Sequence, residues 1–174
     1  MRTSLFIFTA ICVLCCATAL AKSERWFSED RFYSQEIPDD WKKTETDGPS
    51  SKIVAWQAPQ GAAELTISAT YNLRLPEVIP DRMIGYAFKQ EEPITEIRKE
   101  TGQTWDALYR EYRNKENTLV WFALMARNGS TAVLLTLRAR SADQERFRDV
   151  FREFIGSLRI GEKENAKPRP QAYP

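Results

Sequence analysis

A buried strand pair joined by an Asn-Gly dipeptide limits the folds that this chain can adopt. Residues 119–126 (LVWFALMA) are apolar at odd and even positions, which is typical of a central strand buried on both faces, although a buried helix has the same pattern. Asn128-Gly129 follows, a pair that tolerates the positive φ angles of a type I′ turn. Residues 132–140 then return as the second strand. The segment predicts an antiparallel hairpin.

A second hairpin is predicted upstream. Residues 52–58 lead through Pro59-Gln60-Gly61 into residues 64–73, where apolar and polar side chains alternate strictly. Alternation with period two, bounded by Pro and Gly, is typical of paired strands with one buried face. Further strands are predicted at residues 32–37, closed by Pro38, at 94–100 and at 105–113.

Two helices interrupt and end this run of strands. Ser141 and Gln144 match a capping box, and the helix that follows has one apolar stripe, made of Phe147, Val150, Phe151, Phe154, Ile155 and Leu158. An earlier helix is predicted at about residues 81–90, after Pro80, although Gly85 weakens it. Its core candidates are Met83, Ile84, Ala87 and Phe88. This element order predicts an α+β domain in which an antiparallel sheet is layered with helices.

The first 21 residues have the layout of a secretory signal. Arg2 precedes an apolar stretch over residues 5–20, and the small residues Ala19 and Ala21 stand just before Lys22. The stretch is shorter than the ~20 apolar residues that a spanning helix needs. We therefore expect cleavage after Ala21, a periplasmic or secreted mature chain, and no transmembrane segment in it.

The cysteines all fall in this leader. Cys12, Cys15 and Cys16 are the three cysteines of the chain, and it contains no histidine. Cleavage would therefore remove thiol nucleophiles, disulfides and thiolate or imidazole metal sites from the mature protein. A lipoprotein anchored through Cys15 or Cys16 is the less favoured alternative, because the residues just before Cys16 are not small.

The charge and length of the remaining chain limit its possible function class and its number of domains. Removing residues 1–21 takes away Arg2 and no acidic residue, so the net charge of +1 falls to zero. Nucleic-acid-binding proteins normally carry a basic excess, so this balance argues against that class. Residues 22–160 suit one domain. Residues 161–174, with three prolines and little apolar content, are expected to form a flexible tail.

Two short motifs resemble the PsbP-like superfamily. Residues 32–41 (FYSQEIPDDW) are similar to its opening signature, in which a strand ends in proline and a nearby tryptophan packs back onto the domain. The later order of hairpin, helix, a meander containing Gly102-x-x-Trp105, the Asn-Gly hairpin and a last helix ending near Ile160 is also similar. Asp39-Asp40 departs from the glycine-containing turn that the family pattern leads us to expect.

The resemblance covers about residues 30–160 and implies a fold and a class of function. It implies an antiparallel sheet between helices, an α/β/α sandwich, in an exported protein that generally has no enzymatic role. The superfamily includes photosynthetic lumen subunits and bacterial DcrB-like envelope proteins. It provides no catalytic residues to assign to this sequence.

Aromatic residues on two neighbouring strands are the candidate ligand site. Trp105, Tyr109 and Trp121, together with Tyr112 and Phe122, lie on segments joined by a turn at residues 114–117. Some of them would share one face and line an apolar cleft. Packing in the core is the alternative that we favour for them.

We interpret two clusters of charged residues as solvent-facing surface. Glu36, Asp39 and Asp40 have the chemistry of a hard-cation or acid–base site, but adjacent carboxylates in a turn usually face water. We therefore predict no metal site, no catalytic residue and no cofactor. The last helix carries Arg146, Arg148 and Arg152 interleaved with Glu145 and Asp149, which predicts an exposed, self-paired face rather than a basic patch for acidic headgroups.

A binding function is therefore expected. The sequence has no Gly-rich phosphate loop, no G-x-S-x-G motif and no histidine to activate a serine. We expect a non-catalytic, exported interaction module that binds an envelope protein. The alternative is a carrier for a small apolar ligand or lipid. A cavity lined by Trp105, Tyr109 and Trp121 would favour the carrier, and a solid core with an exposed apolar patch would favour the interaction module.

Overall fold

The computed structural model describes residues 22–29, 31–47, 52–70 and 79–161. The leader with Ala19, Ala21 and its cysteines, and residues 162–174 of the expected tail, lie outside the described residues. The elements, in chain order, are β1 (Ser23–Phe27), β2 (Tyr33–Pro38), β3 (Lys42–Asp47), β4 (Lys52–Gln57), β5 (Ala63–Thr70), α1 (Ile79–Ala87), β6 (Glu92–Pro93), β7 (Arg98–Thr101), β8 (Asp106–Arg113), β9 (Leu119–Asn128), β10 (Thr131–Arg140), α2 (Gln144–Ser157) and β11 (Arg159–Ile160).

The strands of the described residues form two sheets. The smaller has the order β1-β2-β11, and the larger has the order β3-β4-β5-β10-β9-β8-β6, with β7 also paired to β8. Every pairing is antiparallel. The α+β class is therefore confirmed.

The β9–β10 hairpin is confirmed with a turn one residue later than predicted. Asn128 pairs with Thr131 as the last rung of the ladder, so Gly129 and Ser130 are the two turn residues. Gly129 has a φ of 55°, a conformation that glycine adopts without strain. A type I′ turn needs positive φ at both turn residues, and Ser130 is not among the residues with positive φ, so the loop is not the type I′ turn that the Asn-Gly pair predicted.

The upstream hairpin follows the alternation in its sequence. β4 pairs with β5 across a short 3₁₀ turn at Pro59–Gly61. Leu65 and Ile67 are fully buried, whereas Thr66 and Ser68 point to the other, partly exposed face. The weaker strand expected at residues 94–100 is only partly present, because the ladder runs over Glu92–Pro93 and then Arg98–Thr101.

The large sheet lies between two helices, so the layered arrangement is confirmed. β9 is buried on both faces: Phe122 and Leu124 join the core under α2, and Ala123 and Met125 join the core under α1. The small sheet packs against the first of these cores. No helix within the described ranges is long and apolar enough to cross a membrane.

The predicted capping box does not form at the start of α2. A 3₁₀ turn at Ser141–Asp143 precedes the helix, and its N-terminus has no side-chain cap. Gln144 instead directs its side chain to Glu111 on β8. The apolar stripe behaves as predicted, because Phe147, Phe151 and Phe154 are buried.

The N-terminal motif also has the expected packing. Trp41 lies after Pro38 and meets Phe154 of α2 edge to face, with ring centroids 5.4 Å apart. The Trp41 backbone N–H donates to the Pro38 carbonyl at 3.0 Å and closes the turn. Asp39 and Asp40 are not among the positive-φ residues, so this turn does not require the glycine that we expected there.

Candidate interaction site

The three predicted ligand residues do not meet in one cleft. Trp105 and Tyr109 are buried in the core under α2, whereas Trp121 packs against the core under α1 on the opposite face. The register explains the separation, because Trp121 pairs with Tyr112 and Tyr109 pairs with Leu124. Residues that pair directly in an antiparallel ladder share a face.

Trp105 packs as a core residue that holds the end of α2. Its indole Nε1–H donates to the Leu158 carbonyl at 3.2 Å, which satisfies one of the free carbonyls at the helix C-terminus. A Cβ added at Gly102 would lie 2.1 Å from the Trp105 ring, so glycine is required for this close approach. The Gly102-x-x-Trp105 motif is therefore a packing device in this structure.

The three carboxylates of the predicted acidic turn do not form one site. Glu36 receives a hydrogen bond from the Arg25 guanidinium at 2.6 Å, while Asp39 and Asp40 are exposed. Across the part of the chain that the structure describes, no three Asp, Glu, Cys or His side chains converge as metal ligands. The contacts favour a solvated turn.

Glu111 is a buried carboxylate that the sequence pattern does not predict. It lies on β8 and faces α2, where Arg148 donates to both of its oxygens at 2.8 Å. The Tyr109 hydroxyl donates to one oxygen at 2.6 Å, and the Gln144 amide donates to the other at 3.1 Å. The solvated position that we predicted for Arg148 is therefore wrong, although its predicted pairing with Glu145 on the same helix is present.

The hydrogen-bond network around Glu111 shifts the pKa values of its members. Burial alone would raise the pKa of Glu111, but the hydrogen bonds from Arg148 and Tyr109 outweigh burial and hold that pKa below its ordinary value. Burial and the hydrogen bond to Glu111 raise the pKa of Tyr109. Because both carboxylate oxygens already accept hydrogen bonds from protein groups, the cluster acts as an ionic anchor between α2 and the sheet.

A groove beside α1 is the candidate interaction site. Its volume is about 730 Å³, and it opens between the helix and the sheet face formed by β5, β9 and β10. We call it the α1 groove and define it by its lining residues: Ser68, Thr70, Arg82, Met83, Tyr86, Ala87, Met125, Ala132 and Leu134. The lining is mainly apolar, as binding grooves for apolar side chains are.

Tyr86 makes the α1 groove unusual among the described surfaces. The residue is 75% exposed, and the other large hydrophobic residue exposed in this part of the chain, Phe27, is 49% exposed. Tyrosine is common at binding surfaces because it combines a large ring with a polar hydroxyl. The groove therefore presents an aromatic side chain beside an apolar floor.

The sequence held a signal for this site that periodicity alone did not use. Of the four predicted core residues of α1, the structure buries Ile84 and Phe88 and packs Met83 partly against them. The core position predicted for Ala87 is wrong, because that residue is exposed. Tyr86 falls outside that predicted set. An aromatic residue on the solvent side of a short amphipathic helix is the feature that points to a binding surface.

Comparison with solved structures identifies the fold as PsbP-like. The chain is similar to cyanobacterial PsbP (CyanoP) from Synechocystis sp. PCC 6803, with a TM-score of 0.65 and 14% identity over 84% of this chain and 97% of that one. It is also similar to a Bacteroides thetaiotaomicron protein, with a TM-score of 0.56 and 16% identity over 83% of this chain and 51% of that one. No protein-family model matches the sequence, and no curated protein matches it.

Proposed function

We propose that this chain of PsbP-like fold is an exported, non-catalytic binding module that holds a protein partner in the α1 groove. The observation that carries the proposal is the exposed ring of Tyr86 beside the partly exposed apolar side chains of Met83 and Leu134. Solvent-exposed apolar patches of this kind typically mark protein interfaces.

The packing under α2 supports an interaction module over a carrier. The Tyr109 ring lies 6.1 Å from the ring of Phe151, and the Phe122 ring lies 5.9 Å from the same ring, between centroids. These side chains fill the space between sheet and helix. The residues that would have lined a ligand cavity are therefore engaged with one another.

The non-catalytic character is supported by the state of the polar groups. Glu111 is saturated by hydrogen bonds from protein side chains, and Glu36 is paired with Arg25. Neither arrangement leaves a carboxylate placed as a general base beside a nucleophile.

The leader pattern supports the exported location. The signal pattern predicts Lys22 as the mature N-terminus, and β1 begins at the next residue, Ser23. N-terminal sequencing of protein recovered from the periplasm of an expressing bacterium tests this point. A lipid-modified Cys15 or Cys16 in the membrane fraction would contradict it.

Site-specific photo-crosslinking tests the binding site. A photoreactive amino acid is placed at position 86, or at position 27 as the matched control, because Tyr86 and Phe27 are both exposed aromatic residues. We expect one discrete protein adduct from position 86 in the envelope and none of that mass from position 27. The proposal fails if the two positions give the same adducts, or if position 86 reacts only with lipid.

A further inference from the structure

Two cations lie on the α1 side of the groove: Arg82 belongs to its lining, and Lys89 lies beside Tyr86 at its edge. Arg82, Tyr86 and Lys89 are spaced by four and three residues, so they lie on one side of α1 and of the turn after it. The Lys89 ammonium lies 5.1 Å from the centroid of the Tyr86 ring. Among the described side chains, neither Arg82 nor Lys89 forms an ion pair.

Several other basic side chains on the surface form ion pairs. Ion pairs join Arg113 to Glu92, Arg138 to Glu64, Arg140 to Asp143 and Arg152 to Asp149. Arg82 and Lys89 are therefore available to the carboxylates of an acidic partner.

The floor of the groove has the dimensions for a helix. Leu134 on β10 pairs with Met125 on one side and with Ser68 on the other, so the three side chains form a row across three strands. Neighbouring strands are about 4.8 Å apart, and a helix with its side chains is about 10 Å wide. One helix would therefore cover the row while resting against α1.

The composition of the floor also suits a helix. Met83 is partly exposed and provides an unbranched, adaptable side chain, as in other grooves that receive amphipathic helices, while Met125 is buried in the floor. Ser68 and Thr70 provide a polar margin on the side away from α1. The groove is thus apolar along its centre and cationic along the α1 rim.

We infer that the α1 groove binds an acidic amphipathic helix of the partner protein, with the apolar face of that helix on Met83 and Leu134 and its carboxylates beside Arg82 and Lys89. This inference rests on the proposed function and adds the chemistry of the partner. The concave shape favours a helix over a flat anionic membrane as the occupant.

The methionine methyl groups give a direct readout of binding in the α1 groove. The chain has three methionines, Met1, Met83 and Met125, and two of them line the groove. Protein produced with its own leader is labelled with ¹³C at the methionine methyls and titrated with two designed helical peptides that share one apolar face. One peptide has Glu and the other Lys at its polar positions, and phosphatidylglycerol vesicles form a third arm.

We expect the Glu peptide to shift the Met83 and Met125 resonances and to bind about tenfold more tightly than the Lys peptide, as for two rim ion pairs each worth a few-fold. Changing both Arg82→Glu and Lys89→Glu should reverse the preference, and the control Arg146→Glu on α2 should not. Equal binding of the two peptides, or shifts with vesicles alone, would overturn the inference. A partner adduct from position 86 would still support the proposed function in that case.

Discussion

Truncating Arg148 to alanine should destabilise the fold by about 3 kcal/mol. Glu111 is 1% exposed and would lose both hydrogen bonds from the guanidinium. Leaving one buried charge without its partner typically costs about 3 to 5 kcal/mol. The carboxyl can escape by taking up a proton. With an ordinary pKa of 4.5, protonation at pH 7 costs about 3.4 kcal/mol, which limits the part of this loss that comes from the unpaired charge.

Urea unfolding, followed by tryptophan fluorescence, measures this loss. The matched control is Arg152→Ala, because Arg152 and its partner Asp149 are 65% and 74% exposed and should contribute less than about 1 kcal/mol. The paired change Glu111→Leu with Arg148→Met should recover most of the lost stability, since it removes both charges together. If Arg148→Ala and Arg152→Ala cost the same within about 0.5 kcal/mol, Glu111 is not the anchor that we describe.

Three further predictions concern the core and the same carboxylate. Because the folded-state pKa of Glu111 is lowered, its contribution is complete above the ordinary pKa of 4.5 and is lost as the pH falls below it; the stability difference between wild type and Glu111→Gln should shrink over that acid range in urea titrations. Gly102→Ala should cost about 1 to 3 kcal/mol through its clash with Trp105, whereas Gly85→Ala, which meets nothing within 4 Å, should stabilise α1 by up to about 1 kcal/mol. Phe151→Ala should cost about 3 to 5 kcal/mol, because the ring is 1% exposed; a loss below about 1 kcal/mol in calorimetry would show that the ring is not central to the core.

The elements with strong periodicity were predictable, and the polar edge strands were not. The β9–β10 hairpin and the apolar stripe of α2 carry their signals in their own residues. β3 pairs on only one side within the described sheet. Its sequence, KKTETD, contains no apolar residue that would indicate a buried face. The capping box failed because the Ser141 backbone N–H donates to the Thr118 carbonyl at 2.9 Å and is not available to the Gln144 side chain, whose amide donates to Glu111.

The positions of the predicted site residues in the fold depend on strand register and on contacts between distant parts of the chain. Trp121 is separated from Tyr109 because the turn before β9 sets which residues of the two strands pair, and a pattern within one strand does not contain that information. The sequence also predicted that Arg148 pairs with Glu145, but Glu111 is 37 residues away along the chain. Only the packing of α2 on β8 brings these two charges together.

The affinity of the partner captured at position 86 tests the central claim most directly. Calorimetric titration of that purified partner compares wild type with Tyr86→Ala and with the matched control Phe27→Ala. Loss of an aromatic anchor typically costs about 2 kcal/mol, so we expect Tyr86→Ala to weaken binding about 30-fold and Phe27→Ala to leave it within about twofold. Equal affinities for wild type and Tyr86→Ala would show that the partner does not bind in the α1 groove.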